Sequence, residues 1–179
     1  MSIVDISDFT RKLDALSDSY RKLPNEIAAA AVEFSKERFR EQSWLDKTKE
    51  NWNPRARRRK GGAKKSQTLL VNTGRLKRGM RKISATQDVV IIGNDVPYAQ
   101  IQNDGGTIEG TATVKQYTKK EFQRQRKGRK ETVRSHKVAS HTRKMKIKIP
   151  SRRFIGNSYT LERRLYLLIA SRFAKALKQ

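Results

Sequence analysis

The sequence predicts an α+β fold: N- and C-terminal helices packed on a small antiparallel sheet, with a long basic hairpin or loop insertion. Three observations carry this. Apolar residues recur every three or four positions at both ends of the chain, the helical period. Two short β-branched runs, Ile83-Ser84-Ala85-Thr86 and Val89-Val90-Ile91-Ile92, flank the polar pair Gln87-Asp88. Before the last helix lies a stretch so rich in lysine and arginine that a compact core cannot absorb it.

The elements follow in order. Ser7 or Asp8 is placed to cap a first helix, with Phe9, Leu13, Leu16, Tyr20 and Leu23 on one face. Pro24 interrupts it and opens a second helix through Ile27, Ala28, Ala31, Phe34 and Arg38 to about Glu41. From Ser43 to Gln67 the pattern breaks. Trp44 and Trp52 read there as packing anchors, and the basic loop 53–67, with Arg57, Arg58 and Arg59, reads as mobile. Asn72-Thr73-Gly74 caps a short helix carrying Leu76 and Met80, ahead of the two strands. Gly93-Asn94-Asp95 makes a second turn, Pro97 starts a short element through Ile101, and Asp104-Gly105-Gly106 ends it sharply.

The basic insertion 107–148 alternates weakly in polarity. Thr111 to Val114 and Met145 to Ile149 read as two ends of a long hairpin, while Lys119 to Lys130 reads equally as a basic helix or a disordered tip. Beyond Pro150 a last helix runs from about Asn157 to Leu177, its stripe made by Leu161, Leu165, Leu168, Ile169, Phe173 and Leu177.

At 179 residues a single domain, 1–179, is expected. The formal net charge of +25, with a third of residues charged, implies a thin core and an anionic neighbour. Nucleic acid, a membrane surface and acidic proteins all satisfy that. The absence of cysteine excludes disulfides and thiolate metal sites. No apolar run approaches the ~20 residues of a membrane span, and Met1-Ser2-Ile3-Val4-Asp5 does not begin a signal peptide. A soluble protein made in a cytoplasm, with no membrane partner, is the expectation.

No chemistry-bearing constellation emerges. His136 and His141 stand in a basic segment where a cation would be repelled and further ligands are missing, so no metal and no cofactor are expected. Gly74-Arg75-Leu76 lacks the glycines and lysine of a phosphate loop. Gly74, Tyr98, Gly105, Pro150, Phe154 and Gly156 read as fold or assembly residues. Lys119, Lys120, Arg124, Arg126, Lys127, Arg129 and Lys130, with Arg57 to Arg59, read as polyanion contacts. Tyr117 and Phe122 are too few aromatics for single-strand stacking, which favours non-specific contact with duplex DNA.

Four pieces occur in a telling order: Asn51-Trp52-Asn53-Pro54; Leu70-Val71-Asn72-Thr73-Gly74-Arg75-Leu76; Val89-Val90-Ile91-Ile92-Gly93 leading to Tyr98-Ala99 and Gly105-Gly106; and Ile149-Pro150-Ser151-Arg152-Arg153-Phe154-Ile155-Gly156. Together, before an amphipathic C-terminal helix, they resemble the phage virion morphogenesis family of Mu-type tail-completion and head–tail neck proteins. The chain departs from that pattern at Gln102-Asn103-Asp104 and at Arg153, where the family often carries histidine and glutamine and then proline. The resemblance implies a non-enzymatic structural protein of the virion, forming rings of copies at the head–tail junction or the head-proximal tail end. Its implied partners are itself, connector and tail proteins, and packaged double-stranded DNA; its place before assembly is the host bacterial cytoplasm. The alternative is a free-standing, non-specific nucleic-acid-binding protein.

Overall fold

A computed structural model describes residues 6–54, 68–126 and 128–178. Helix α1 (Ser7–Glu41) is followed by strands β1 (Ser43–Leu45) and β2 (Lys49–Asn51), helix α2 (Arg75–Arg78), strands β3 (Met80–Ala85) and β4 (Val90–Asn94), and helix α3 (Ala99–Asp104). Six strands come next: β5 (Gly106–Val114), β6 (Tyr117–Lys119), β7 (Phe122–Arg126), β8 (Arg129–Val133), β9 (His136–Val138) and β10 (His141–Ile149). Helix α4 (Tyr159–Leu177) ends the chain. The α+β class stands: a long helix at the start, a helix at the end and small antiparallel sheets between. The chain divides into two compact units, Met1–Gly105 with Pro150–Gln179, and Gly106–Ile149.

Pro24 does not divide the first helix. Its ring holds φ at a helical value and it forfeits one N–H, the donor that would reach the Tyr20 carbonyl. Leu23, Ala28, Ala31, Phe34 and Phe39 are buried on the same helix, and their packing carries it through. All the buried residues of α1 begin at Leu23. The predicted face before it is uncovered: Phe9 is 62% exposed and Tyr20 51%. No side chain caps α1, whose N-cap is Ile6. Helix α4 is capped by Ser158, whose Oγ accepts from the Leu161 N–H at 3.2 Å and donates to the Leu45 carbonyl at 2.7 Å.

Several local expectations shift. The segment after α1, where the sequence pattern breaks, opens with a hairpin, β1–β2, and both Trp44 and Trp52 are buried. Met80 starts β3 instead of ending α2, and Gly93 and Asn94 finish β4 rather than turning. Strand β3 carries a bulge between Lys82 and Ser84 that leaves Ile83 unpaired.

The core of the first unit joins Phe39, Trp52, Leu76, Met80, Val96, Ala99 and Phe154. Phe39 meets Trp52 edge-on at 5.7 Å and Phe154 at 4.9 Å. Beside it Phe34 meets Trp44 edge-on at 6.0 Å. Arg38, fully buried, lies over the Phe34 ring and is neutralised by Glu37 at 3.2 Å and Glu41 at 3.5 Å. A buried guanidinium is tolerable only when so paired.

Helices α1 and α4 run antiparallel, tied by Arg164–Glu37 at 2.8 Å and Arg172–Glu26 at 2.7 Å. Partial burial pushes the Glu37 carboxyl up, but Arg164 and then Arg38 outweigh it and hold it below its ordinary value of 4.5. A carboxyl depressed in the folded state stabilises above its unfolded value, and that contribution disappears as pH falls through the folded value. Glu37→Gln is expected to lower stability at pH 7 by about 1–2 kcal/mol. In urea unfolding, the gap between variant and parent should close below about pH 4.

Candidate functional site

Two places gather the residues that the sequence singles out. The first is the junction that receives the chain as it leaves β10. Asn103, on α3 and largely buried, directs its Oδ1 at the backbone N–H groups of Phe154 (2.9 Å) and Ile155 (3.1 Å). Its own carbonyl accepts from Ser151 Oγ at 2.7 Å, and the Gln102 carbonyl accepts from the Arg152 N–H at 3.0 Å. From the other side Trp52 Nε1 donates to the Arg153 carbonyl at 2.8 Å, and the Arg152 guanidinium donates to the Asn53 carbonyl at 3.0 and 3.1 Å. Three segments far apart in sequence, 51–54, 98–105 and 150–156, are thereby locked together, with Phe154 fully buried at the centre.

The glycines around this junction have backbone reasons. Gly105 adopts φ +75°, in the left-handed region, where α3 stops and β5 begins. Gly74, N-cap of α2, has φ +72°, and a Cβ there would come within 2.9 Å of the Arg78 guanidinium. Gly156 and Pro150 bracket the locked segment. Tyr98 is not a core residue: it is 44% exposed, beside a groove lined by Leu69, Leu70, Asn72 and Leu76.

The second place is the unit Gly106–Ile149, one long antiparallel hairpin. Gly106 pairs with Ile149, Tyr117 with Val138, and Phe122 with Val133, closing through Gly128 at φ +79°. The two interruptions, 115–116 opposite 139–140 and 120–121 opposite 134–135, have equal lengths on both strands. The middle is therefore strand, neither helix nor disordered tip. At ~3.4 Å per residue a ribbon of this length would reach at most about 70 Å if straight throughout. It carries fourteen lysines and arginines against three glutamates.

Among the predicted contact residues, Lys119, Lys120, Arg124, Arg129 and Lys130 all fall in the distal half of this hairpin, and Arg126 lies on β7. Arg124 is bound to Glu131 at 2.9 Å, and its guanidinium holds that carboxyl below the usual range. Lys119 lies over the Phe122 ring at 4.0 Å. Arg57, Arg58, Arg59 and Lys127 lie outside the described residues. His136 and His141 each donate Nδ1–H to a carbonyl two residues back, at 3.0 Å. Among the described residues no three His, Cys, Asp or Glu side chains converge.

Sequence reasoning took the basic insertion 107–148 as a whole and did not resolve its two faces. On β10, Lys144, Lys146 and Lys148 share one face with Thr142 and with Thr107, Glu109, Thr111 and Thr113 of β5. The opposite face is mainly apolar, with Ile108, Ala112, Val114, Met145, Ile147 and Ile149, and carries Arg143 and His141 toward its distal end. The signal was present in the strict alternation Lys144-Met145-Lys146-Ile147-Lys148-Ile149.

A family model for phage virion morphogenesis proteins matches residues 2–174. The chain belongs to the phage virion morphogenesis family. No curated protein and no solved structure matches it. As a phage virion morphogenesis protein it has a structural role in the making of the phage particle. The matched span contains all three segments locked at the Asn103 junction as well as the hairpin.

Loss of the Asn103 side chain would leave the Phe154 and Ile155 N–H groups buried without an acceptor. Asn103→Ala is expected to cost about 2–3 kcal/mol, and Phe154→Ala about 3–5 kcal/mol through the cavity it opens. Both are read as a lowered urea midpoint with unchanged slope.

Proposed function

We propose that this virion morphogenesis protein acts as a ring of copies at the head–tail junction or the head-proximal end of the tail, completing the tail or joining it to the head. Its basic segments face packaged double-stranded DNA or neighbouring virion proteins. The observation that carries this reading is the hairpin: a compact unit of its own in which, among the described side chains, every lysine and arginine but Lys119 is exposed. Such a surface suits a polyanion, and contacts to phosphates carry no sequence preference.

Assembly from copies has support in the first unit. Phe9, Leu13 and Tyr20 on α1 are exposed, as are Ile83, Val89 and Ile91 on β3–β4 and Tyr166 and Leu167 on α4. An apolar groove of about 410 Å³ lies between them, lined by Tyr20, Leu23, Ile27, Val90, Ile169 and Phe173. Apolar surface on this scale suits contact with other protein. Different patches on one subunit allow the head-to-tail contacts from which a ring closes. The connector and tail proteins are the remaining partners in this reading.

The net charge of +25 favours a second reading, a free-standing nucleic-acid-binding protein acting outside the particle. Deleting the gene separates the two. Electron microscopy of the resulting particles is expected to show full heads beside unattached or overlong tails; normally joined particles would transfer the assignment to the second reading.

A further inference from the structure

The proximal part of the hairpin, β5–β10, is chemically two-sided, and the sides are separated by strand register rather than by any fold of the chain. One face presents Lys144, Lys146 and Lys148 in an unbroken row, flanked across the ladder by Thr111, Glu109 and Thr107. All three lysines are exposed. Lys146 is paired with Glu109 at 2.7 Å, whereas Lys144 and Lys148 have no acidic partner among the described residues. The other face is mainly apolar and carries Arg143 as its one arginine or lysine, so this stretch does not offer positive charge equally in both directions.

We infer that the Lys144–Lys146–Lys148 row is the surface on which the hairpin takes the phosphate backbone of double-stranded DNA, and that Glu109 restrains it. The inference rests on the proposed contact with packaged DNA and names its face. Alternate residues of a strand lie ~6.8 Å apart. Phosphates of one DNA strand recur every ~3.4 Å along the helix axis. Successive phosphates also wind around that axis, so the row meets them by following the path of the strand, with three ammonium groups over ~14 Å. The threonine hydroxyls beside them supply the neutral donors that also bind phosphate oxygens. No aromatic side chain shares this face, so the contact is to backbone rather than to stacked bases. The distal half of the hairpin is less suited to a continuous track: Arg124 is already neutralised by Glu131, and Arg129 and Lys130, as neighbours on one strand, point to opposite faces.

The row predicts a loss and a gain. With the full-length protein and a labelled duplex of arbitrary sequence, affinity is measured across a salt series. Lys144→Gln with Lys148→Gln is expected to reduce the slope of log affinity against log salt by about 1.8, since each phosphate contact contributes ~0.9. Glu109→Gln, which frees Lys146, is expected to raise the slope by up to ~0.9 and to tighten binding at low salt. A gain of this kind cannot come from misfolding, and Lys144→Arg with Lys148→Arg should keep the parent slope.

The matched pair Lys120→Gln with Arg129→Gln serves as the comparison. If that pair lowers the slope as much as the β10 pair, or if Glu109→Gln leaves binding unchanged, the assignment of this face is overturned while DNA contact stands. If the parent protein fails to bind the duplex at low salt, both the DNA reading and the assignment fall. If poly-glutamate binds as tightly and responds to the same substitutions, the face is one for acidic protein and the assignment to phosphate is overturned.

Discussion

The first unit depends on one side-chain amide. Asn103 accepts two consecutive backbone N–H groups, those of Phe154 and Ile155, and so brings the chain back to α3 after the long excursion of the hairpin. Without such an acceptor those groups would be buried unpaired, at a cost comparable to a sizeable part of a domain's net stability. With it, Phe154 is delivered against Phe39, and the segment lies within reach of Trp52 and of the Asn53 carbonyl. The hairpin leaves and re-enters the first unit at Gly105 and Pro150, positions adjacent to this lock. A polar contact thus determines where the apolar core can close.

Around that lock the molecule divides its labour by chemistry. The first unit holds the aromatic core and a buried, fully paired arginine, and it presents apolar surface outward on α1, β3–β4 and α4. The second unit has little core and much charge. An isolated two-stranded ribbon is at best marginal in water, and a row of lysines on one face adds self-repulsion. Burying the mainly apolar face of β5–β10 or neutralising its basic face relieves one of these costs, so the hairpin's order is coupled to whatever it meets. That suits a protein whose task is to become part of a larger particle.

Much of this was legible in the residues. The helical periods at both ends, the strands around Gln87-Asp88 and the motif order from Trp52 to Gly156 gave the fold class and the family. The failures have physical causes. Pro24 reads as a breaker because propensity is local, whereas the packing that overrides it is tertiary. Phe9, Leu13 and Tyr20 have the spacing of a buried stripe, but spacing does not say whether this chain or another one covers it. Asn103 was invisible because a buried amide acceptor has no pattern; its role exists only once residues 154 and 155 arrive. In the hairpin, the weight of charge drew attention to the distal segment 119–130. The period-two alternation that sorts lysine from isoleucine at 144–149 lay well outside it.

The hairpin's constant register also governs how its length can change over evolutionary time. Its two interruptions contain equal numbers of residues on the two strands, so pairing resumes in phase after each. An indel of one residue in a single strand would exchange the faces of everything distal to it on that strand. Matched additions or losses on both strands, or at the turn, leave the proximal lysine row untouched. The reach of the ribbon is thus a quantity that can drift separately from its chemistry, its length changing without any change in the order of residues on the proximal faces.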